Sequence, residues 1–195
     1  MTLDDDAIQR LVAASQQGDP EAFGSLFDAF YGPVYRYVAA RVGRPSDAED
    51  LAQLVFVKAL EALPRYEARG VPFGGWLFKL ARNIVIDHIR TRRDTSPLDV
   101  MIERPNPEDG PDELAVLRQE LDGVAHAMRR LTPEQREAIE LRFFAGLSAK
   151  EAAEAMGRQE GTVRGLQFRA IAALRRDLGI ADPAASLPSV SGTTR

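Results

Sequence analysis

The sequence predicts an all-α protein made of two small helical domains joined by a flexible, acidic, proline-rich linker. Three observations predict it. Nearly every long segment repeats its apolar residues at helical period, and no run has the alternation or β-branched density of a strand. Three hydroxyl residues each stand three positions ahead of Glu or Gln where such a segment begins, the signature of a capping box. The length of 195 residues is long for one helical bundle and comfortable for two domains, each with its own core.

Taken in order, Gly43-Arg44-Pro45 separates two helices, and Ser46-Asp47-Ala48-Glu49 is expected to cap the second of them. That helix runs through SDAEDLAQLVFVKALEALPRY, with Leu51, Leu54, Val55, Lys58 and Ala59 along one side. Asp47, Glu49, Asp50 and Gln53 give its other side an acidic, hydrogen-bonding character. Residues 69–75, RGVPFGG, read as a glycine-rich loop running into a helix that starts near Trp76. On that helix Leu77, Leu80, Ala81, Ile84 and Ile89 mark a buried face. Residues 94–112 hold four prolines, one glycine and six acids, too many breakers for a helix and too little apolar material for a core. Beyond this linker, Thr132-Pro133-Glu134-Gln135 and Ser148-Ala149-Lys150-Glu151 predict two further helix starts, and Pro133 suits the first helical position. The tail from Gly179 is rich in Ala, Ser, Pro and Thr and is expected to be disordered. The divisions are therefore 1–93, the linker 94–112, 113–178 and the tail 179–195.

Charge and composition exclude several classes. The apolar runs are too short to cross a bilayer, and the acidic start MTLDDDAIQR is unlike a signal peptide, so a cytoplasmic location is expected. With no cysteine there is no thiolate nucleophile, disulfide or Cys-based zinc site. No phosphate loop, nucleophile–base–acid set or metal cluster is legible, which argues against an enzyme, a cofactor or a small-molecule substrate. The net charge of −4 hides a segregation. Residues 94–112 carry one basic residue against six acids, whereas 76–93 carry five against Asp87 alone and 160–176 carry four against Glu160 alone. Two basic patches flank an acidic connector.

Residues 148–170, SAKEAAEAMGRQEGTVRGLQFRA, read as a helix-turn-helix. Steeply crossing helices need a small residue at the approach, a turn glycine able to take positive φ and a branched apolar anchor, which Ala153, Gly157 and Val163 supply. Such a motif lays its second helix in the DNA major groove, where Gly161, Thr162, Arg164, Gly165, Gln167 and Phe168 would face base edges. Arg164 and Gln167 can pair bidentately with guanine and adenine, and Lys150, Arg158 and Arg169 suit phosphates. On the N-terminal side, Trp76, Lys79, Asn83, Asp87 and Arg90 form a helical stripe beside the buried face, mixing an aromatic ring, an amide and cations as a nucleic-acid surface does. Asp87 would orient Arg90 across one turn. The pattern leaves Trp76 open between core packing and base stacking, and reads His88 as a helix-packing residue rather than a ligand.

The segments DAEDLAQLVFVKAL, RY…FGGWLFKLARNIVIDHIRTRR and LTPEQREAIELRFFAGLSAKEAAEAMGRQEGTVRGLQFRAIAALRRDL, in that order around the linker, resemble the two-domain extracytoplasmic-function sigma factors of bacterial RNA polymerase. The resemblance covers about residues 8 to 178. It implies an alternative sigma factor that binds core RNA polymerase and directs promoter-specific initiation. Asp50, Gln53 and Phe56 match the family's polymerase-docking pattern, although Leu54 stands where an acid usually follows the glutamine. The segment 66–75 matches the loop that captures a flipped base of the promoter −10 element, with Phe73 and Trp76 as its aromatic landmarks. The resemblance places Tyr66, Phe73, Trp76, Lys79, Asn83, Asp87, Arg90, Arg92 and Arg93 at that element, and Lys150, Arg158, Thr162, Arg164, Gln167 and Arg169 at the −35 element. Gly165-Leu166-Gln167 replaces the more usual Ser-Arg-Leu. Promoter DNA and an anti-sigma protein are the further partners implied. A helix-turn-helix regulator that acts without core polymerase is the alternative reading.

Overall fold

Capping, as much as hydrophobic period, decides where the helices of this chain begin. The computed structural model describes residues 4–68, 70–95 and 123–180, with only the backbone of 93–95. Helix α1 (Asp5–Gln16) starts where the Asp4 carboxylate accepts the Ala7 N–H at 2.7 Å. Helix α2 (Pro20–Val42) starts where Asp19 accepts the N–H groups of Glu21 and Ala22, with Pro20 at a position whose own N–H would have no partner. It ends at Gly43, in the left-handed region at φ 80°.

Helix α3 (Pro45–Ala62) corrects the first capping expectation. It begins at Pro45 rather than after Ser46, and Arg44 at the cap makes no side-chain cap bond. Proline's fixed φ has set the start one residue ahead of the hydroxyl. Helix α4 (Phe73–Thr95) also departs from expectation, because Gly74 and Gly75 lie within its first turn rather than in a loop. It carries on through residues 94 and 95, which the sequence assigned to the linker. The rest of the linker from residue 96, and the tail from 181, lie outside the described residues.

After a helical stretch α5 over 123–130, the chain forms α6 (Pro133–Ile139), a π turn (Glu140–Phe144), α7 (Ala149–Met156) and α8 (Glu160–Asp177). Both predicted capping boxes are formed here. Thr132 Oγ1 accepts the Gln135 N–H at 3.3 Å while Gln135 Oε1 accepts the Thr132 N–H at 3.1 Å, and Ser148 and Glu151 exchange the same pair of bonds. No strand occurs among the described residues. The class is all-α, as the sequence predicts.

The two helical units bury one contiguous cluster between them. Leu26, Val34, Tyr37, Val55, Leu77, Phe78 and Val85 pack in it together with Leu141, Ala152, Ala153, Ala155 and Val163, while Leu131, Ile139 and Ala170 form a small second group. On α4 the fully buried stripe is Leu77, Phe78, Ala81 and Val85, so Phe78 and Val85 belong to the face from which Ile84 and Ile89 are only half withdrawn. Helix α7 lies on the start of α4. A Cβ on Gly75 would stand 3.1 Å from the Glu154 Cβ and 3.2 Å from the Glu151 carbonyl oxygen, so glycine permits this approach.

A polar network completes the junction. Glu137 accepts from Arg82 Nε at 2.7 Å and from Arg41 at 3.4 Å, and Glu140 accepts from Arg41 at 3.1 Å. Arg41 also sits 5.5 Å above the ring of the buried Tyr37, and Arg36 Nε donates to the Phe144 carbonyl at 2.9 Å. Glu140 is only 2% exposed. Burial pushes its carboxyl up to about 7, outweighing the pull of Arg41 and Arg136, while Glu137 adds to the rise.

The sign of the pH effect follows. A carboxyl whose folded pKa lies above its unfolded value contributes stability that is present below the unfolded value and is lost as pH rises through about 7. Lowering the pH from about 7.5 to about 6 should therefore raise the melting temperature, by an amount corresponding to roughly 1–2 kcal/mol. Thermal melts of Glu140→Gln should be flatter across that window, and an equal pH response in the variant would remove Glu140 as its source.

Candidate nucleic-acid interface

Three surfaces carry the residues singled out by the sequence. The first is an aromatic box at the head of α4. Phe73 is buried, packed edge-on against Phe30 at 5.3 Å and Tyr66 at 5.9 Å. Tyr66 is also buried and donates its hydroxyl to the Val71 carbonyl at 2.8 Å, and burial raises its pKa. Trp76 is half-buried, with its ring 4.8 Å from Tyr66 and 5.4 Å from Phe73. The two readings of Trp76 therefore both hold in part: it packs on core aromatics and shows a remaining edge to solvent. Tyr66 and Phe73 build the box from within.

Down the stripe from Trp76, Asn83, Asp87 and Arg90 are exposed. No ion pair joins Asp87 to Arg90, contrary to expectation. Asp87 instead accepts the Thr91 hydroxyl with its backbone carbonyl at 2.9 Å. Lys79 is exposed but engaged, its ammonium 3.1 Å from Glu154 on α7. Arg92 reaches back to α3 and pairs with Asp47 at 2.8 Å, beside His88, whose Nε2 lies 3.7 Å from the same carboxylate. His88 thus packs between helices, as its spacing implied. The side chain of Arg93 lies outside the described residues.

The second surface lies on α3. Asp50 and Gln53 are exposed, whereas Phe56 is buried against Phe27 at 4.7 Å and Tyr31 at 6.1 Å. The apolar stripe differs from the expected one. Ala48, Leu51, Ala52, Val55, Phe56 and Ala59 face the core, while Leu54 and Lys58 face outward. Val57 and Leu60 are each more than half exposed and line an apolar groove with Phe23, Phe27, Tyr31, Gln53 and Phe56. A run of apolar residues on successive helical turns does not reveal which of them a neighbour will cover, so this groove was not legible beforehand.

The third surface is the helix-turn-helix. Ala153 and Val163 are buried at the crossing, and Gly157 takes φ 63° in the turn, as expected. On α8, Thr162, Arg164, Phe168 and Arg169 point outward, and Phe168 is 77% exposed. Arg164 is held by Glu160 one turn back at 2.5 Å, and Arg158 by Glu134 at 2.5 Å. Gln167 is half-buried. Its Oε1 accepts from Arg142 Nε at 3.0 Å, and Arg142 also donates to the Leu147 carbonyl. With its oxygen occupied, Gln167 presents its amide N–H groups, which is half of the donor–acceptor pair that adenine requires. Lys150 is exposed at the start of α7. Arg142 was not anticipated: a lone arginine before a capping box carries no sign of the helix it will reach.

Among the described residues no group of three or more His, Cys, Asp or Glu could hold a metal ion, and no helix is long and apolar enough to cross a membrane.

Comparison with known proteins bears on both halves of the chain. The model of sigma-70 region 2 matches residues 26–95 and that of sigma-70 region 4 matches residues 127–176. The ECF RNA polymerase sigma factor BldN of Streptomyces coelicolor is 37% identical over 171 residues, which cover 87% of this chain and 65% of BldN, so the chain spans slightly less than two thirds of that relative. The ECF RNA polymerase sigma factor SigD of Mycobacterium tuberculosis is 34% identical over 184 residues, covering 91% of this chain and 87% of SigD. The solved structure of CnrH in complex with the cytosolic domain of CnrY matches with a TM-score of 0.67 at 28% identity, over 92% of this chain and all of that one.

Two glycines test how the helices of this interface are built. A Cβ on Gly165, in the interior of α8, would meet only the far end of the exposed Arg169 side chain, at 3.4 Å. Gly165→Ala should therefore stabilise the chain by about 0.5–1 kcal/mol through helix propensity. Gly75→Val should destabilise it by about 1–3 kcal/mol, because the new methyls press on α7. Urea unfolding of both variants checks these opposite signs.

Proposed function

The chain belongs to the ECF RNA polymerase sigma factor family, and on that premise we propose that it joins core RNA polymerase, carries it to a class of promoters and helps to open the −10 region. The reading divides the work among three units: residues 1–93 dock on core polymerase and engage the −10 element, 94–112 connect, and 113–178 bind the −35 element.

One observation carries it furthest. The chain presents a helix-turn-helix with Thr162, Arg164 and Arg169 turned outward and, separately, an aromatic box whose half-buried Trp76 heads an exposed stripe of Asn83, Asp87 and Arg90. A regulator that only bound duplex DNA would have use for the first surface and none for the second. The box suits single-stranded DNA. Unstacking a base costs a few kcal/mol, and stacking on an aromatic edge within a prepared pocket offsets that cost. Captured bases hold the strands apart without hydrolysis, and the bond-making chemistry remains with the polymerase. Arg90 and Arg92, with Arg93 beyond them, would meet the strand's phosphates, and Lys79 would do so at the head of the stripe.

On α8, Arg164 and Gln167 read bases while Arg158, Arg169 and Lys150 contact phosphates. The face of α3, with Asp50 and Gln53 at the rim of the apolar groove over Phe56, is assigned to core polymerase. Exposed apolar residues ringed by polar ones are the composition of a protein-docking surface. The CnrH structure holds a second protein, the cytosolic domain of CnrY, and the RpoE structure of Bartonella quintana holds the anti-sigma factor NepR. We extend a protein partner of that kind to this chain.

Trp76→Ala should lower promoter opening about tenfold or more, read as permanganate-reactive thymines in the reconstituted holoenzyme, while core binding changes less than twofold. Equal losses in both measurements would return Trp76 to a purely structural role. Arg164→Ala should weaken binding by roughly 1–3 kcal/mol and relax base preference at one −35 position. A uniform loss across sequences would instead place Arg164 on a phosphate.

A further inference from the structure

We propose that Gln16 of α1 is a positioning residue for strand capture: its amide ties down the turn from which Tyr66 enters the aromatic box, and so sets the surface that an unstacked base meets. The proposal rests on the promoter-opening reading above and adds to that site a residue from α1, a helix that carries none of the DNA-facing side chains named so far.

The contact joins segments far apart in sequence. Gln16 Nε2 donates to the Leu63 carbonyl at 2.9 Å and to the Tyr66 carbonyl at 2.7 Å. These two oxygens bracket the 3-10 turn Leu63–Arg65 that follows α3, a turn closed by the Tyr66 N–H on the Leu63 oxygen at 3.0 Å. A helix leaves its last carbonyls without intrahelical partners, and here α1 supplies donors from outside. A primary amide has two N–H groups, one for each oxygen. Glutamate has the same shape and, when ionised, no donor.

The sequence of α1 places Gln9 and Gln16 on one face, either side of the buried Val12. Gln9 hydrogen-bonds the side chain of Tyr66, so the same helix holds that residue by its backbone and by its phenol. Both glutamines are half withdrawn from solvent, where an amide without partners would be costly.

From Tyr66 the constraint passes into the box. Beyond the 3-10 turn the chain is extended at Tyr66, with ψ at 127°, and the Tyr66 hydroxyl crosses its own loop to the Val71 carbonyl at 2.8 Å. Gln16 therefore fixes one end of that loop and the phenol fixes the other. The rings of Trp76 and Phe73 stand 4.8 Å and 5.9 Å from that of Tyr66. With the Gln16 bonds removed, the Tyr66 backbone can shift while its hydroxyl stays on Val71, and the ring tilts under Trp76. Stacking depends on ring separation and tilt, so a tilted platform loses contact with the base while the α3 face assigned to polymerase keeps its shape.

Trp76 is the only tryptophan of the chain and reports on the box directly. In the full chain without polymerase, Gln16→Met should raise the acrylamide quenching constant of Trp76 about 1.5- to threefold, with the helical circular dichroism unchanged at the assay temperature. In the reconstituted holoenzyme it should lower the permanganate reactivity of −10 thymines about three- to tenfold, while core binding changes less than about twofold. Gln16→Glu, which keeps the side-chain shape, should move both readouts further in the same direction, because its ionised oxygens face two carbonyls. Were Gln16 merely filling space, this variant would behave as the wild type. Gln17→Met, the same change at the exposed neighbour, should alter neither readout. An unchanged quenching constant in Gln16→Glu, a changed constant with normal opening, or equal losses of opening and core binding would each overturn the proposal. A wild-type holoenzyme that gives no permanganate-reactive thymines would overturn the promoter-opening reading itself, while the Trp76 measurement on the free chain would still decide whether Gln16 holds the box.

Discussion

The structure depends on one close approach, that of α7 to the first turn of α4. Two consecutive glycines on one side and an alanine-rich helix on the other bring the backbones together, and the buried cluster can then run from Val12 in α1 through Phe78 to Val163 in α8. Small residues at a crossing shorten the distance between helix axes and let larger neighbours interlock around it. Cores of this size are marginal when divided. Joined at this seam, the two units share apolar burial that neither supplies alone. The glutamate–arginine network at Glu137 and Glu140 then seals the seam, since leaving any member unpartnered in that setting would be costly.

The same junction shows what the sequence could and could not reveal. Signals completed within a few residues were legible: the capping boxes at Thr132 and Ser148, the helix break at Gly43, the left-handed turn glycine at 157, the Ala153–Val163 crossing. Each depends on local backbone chemistry alone. Gly74 and Gly75 were misread because glycine serves both loops and close helix contacts, and only the distant α7 decides between them. Leu54 was misread because it stands three positions after Leu51 and beside Val55, while the face that the neighbouring helices cover runs through Ala48, Ala52 and Phe56 on the other side of those two. Arg142 and Arg82 carried no signal, because their partners Gln167 and Glu137 lie 25 and 55 residues away. The candidate DNA faces were legible as stripes of residue types. Their engagement was not, since ion pairs between helices depend on packing.

That engagement sets a cost on any contact between these basic side chains and a nucleic acid. Lys79, Arg92, Arg158 and Arg164 each hold a carboxylate of the same chain, respectively Glu154, Asp47, Glu134 and Glu160. A phosphate must displace these partners. Exposed pairs of this kind are weak singly, so displacement is easy where several contacts form together on a matching site and unfavourable where one or two form by chance. Contacts of the correct geometry on an assembled promoter complex would therefore be favoured over scattered attraction to DNA.

The central claim is that this chain confers promoter choice on RNA polymerase. It is tested most directly by adding the chain to bacterial core polymerase, transcribing fragmented genomic DNA in vitro and sequencing the 5′ ends of the products. The account predicts a discrete set of start sites that appear only with the chain present and share sequence blocks near −35 and −10. Transcripts whose start sites are the same with and without the chain would contradict it.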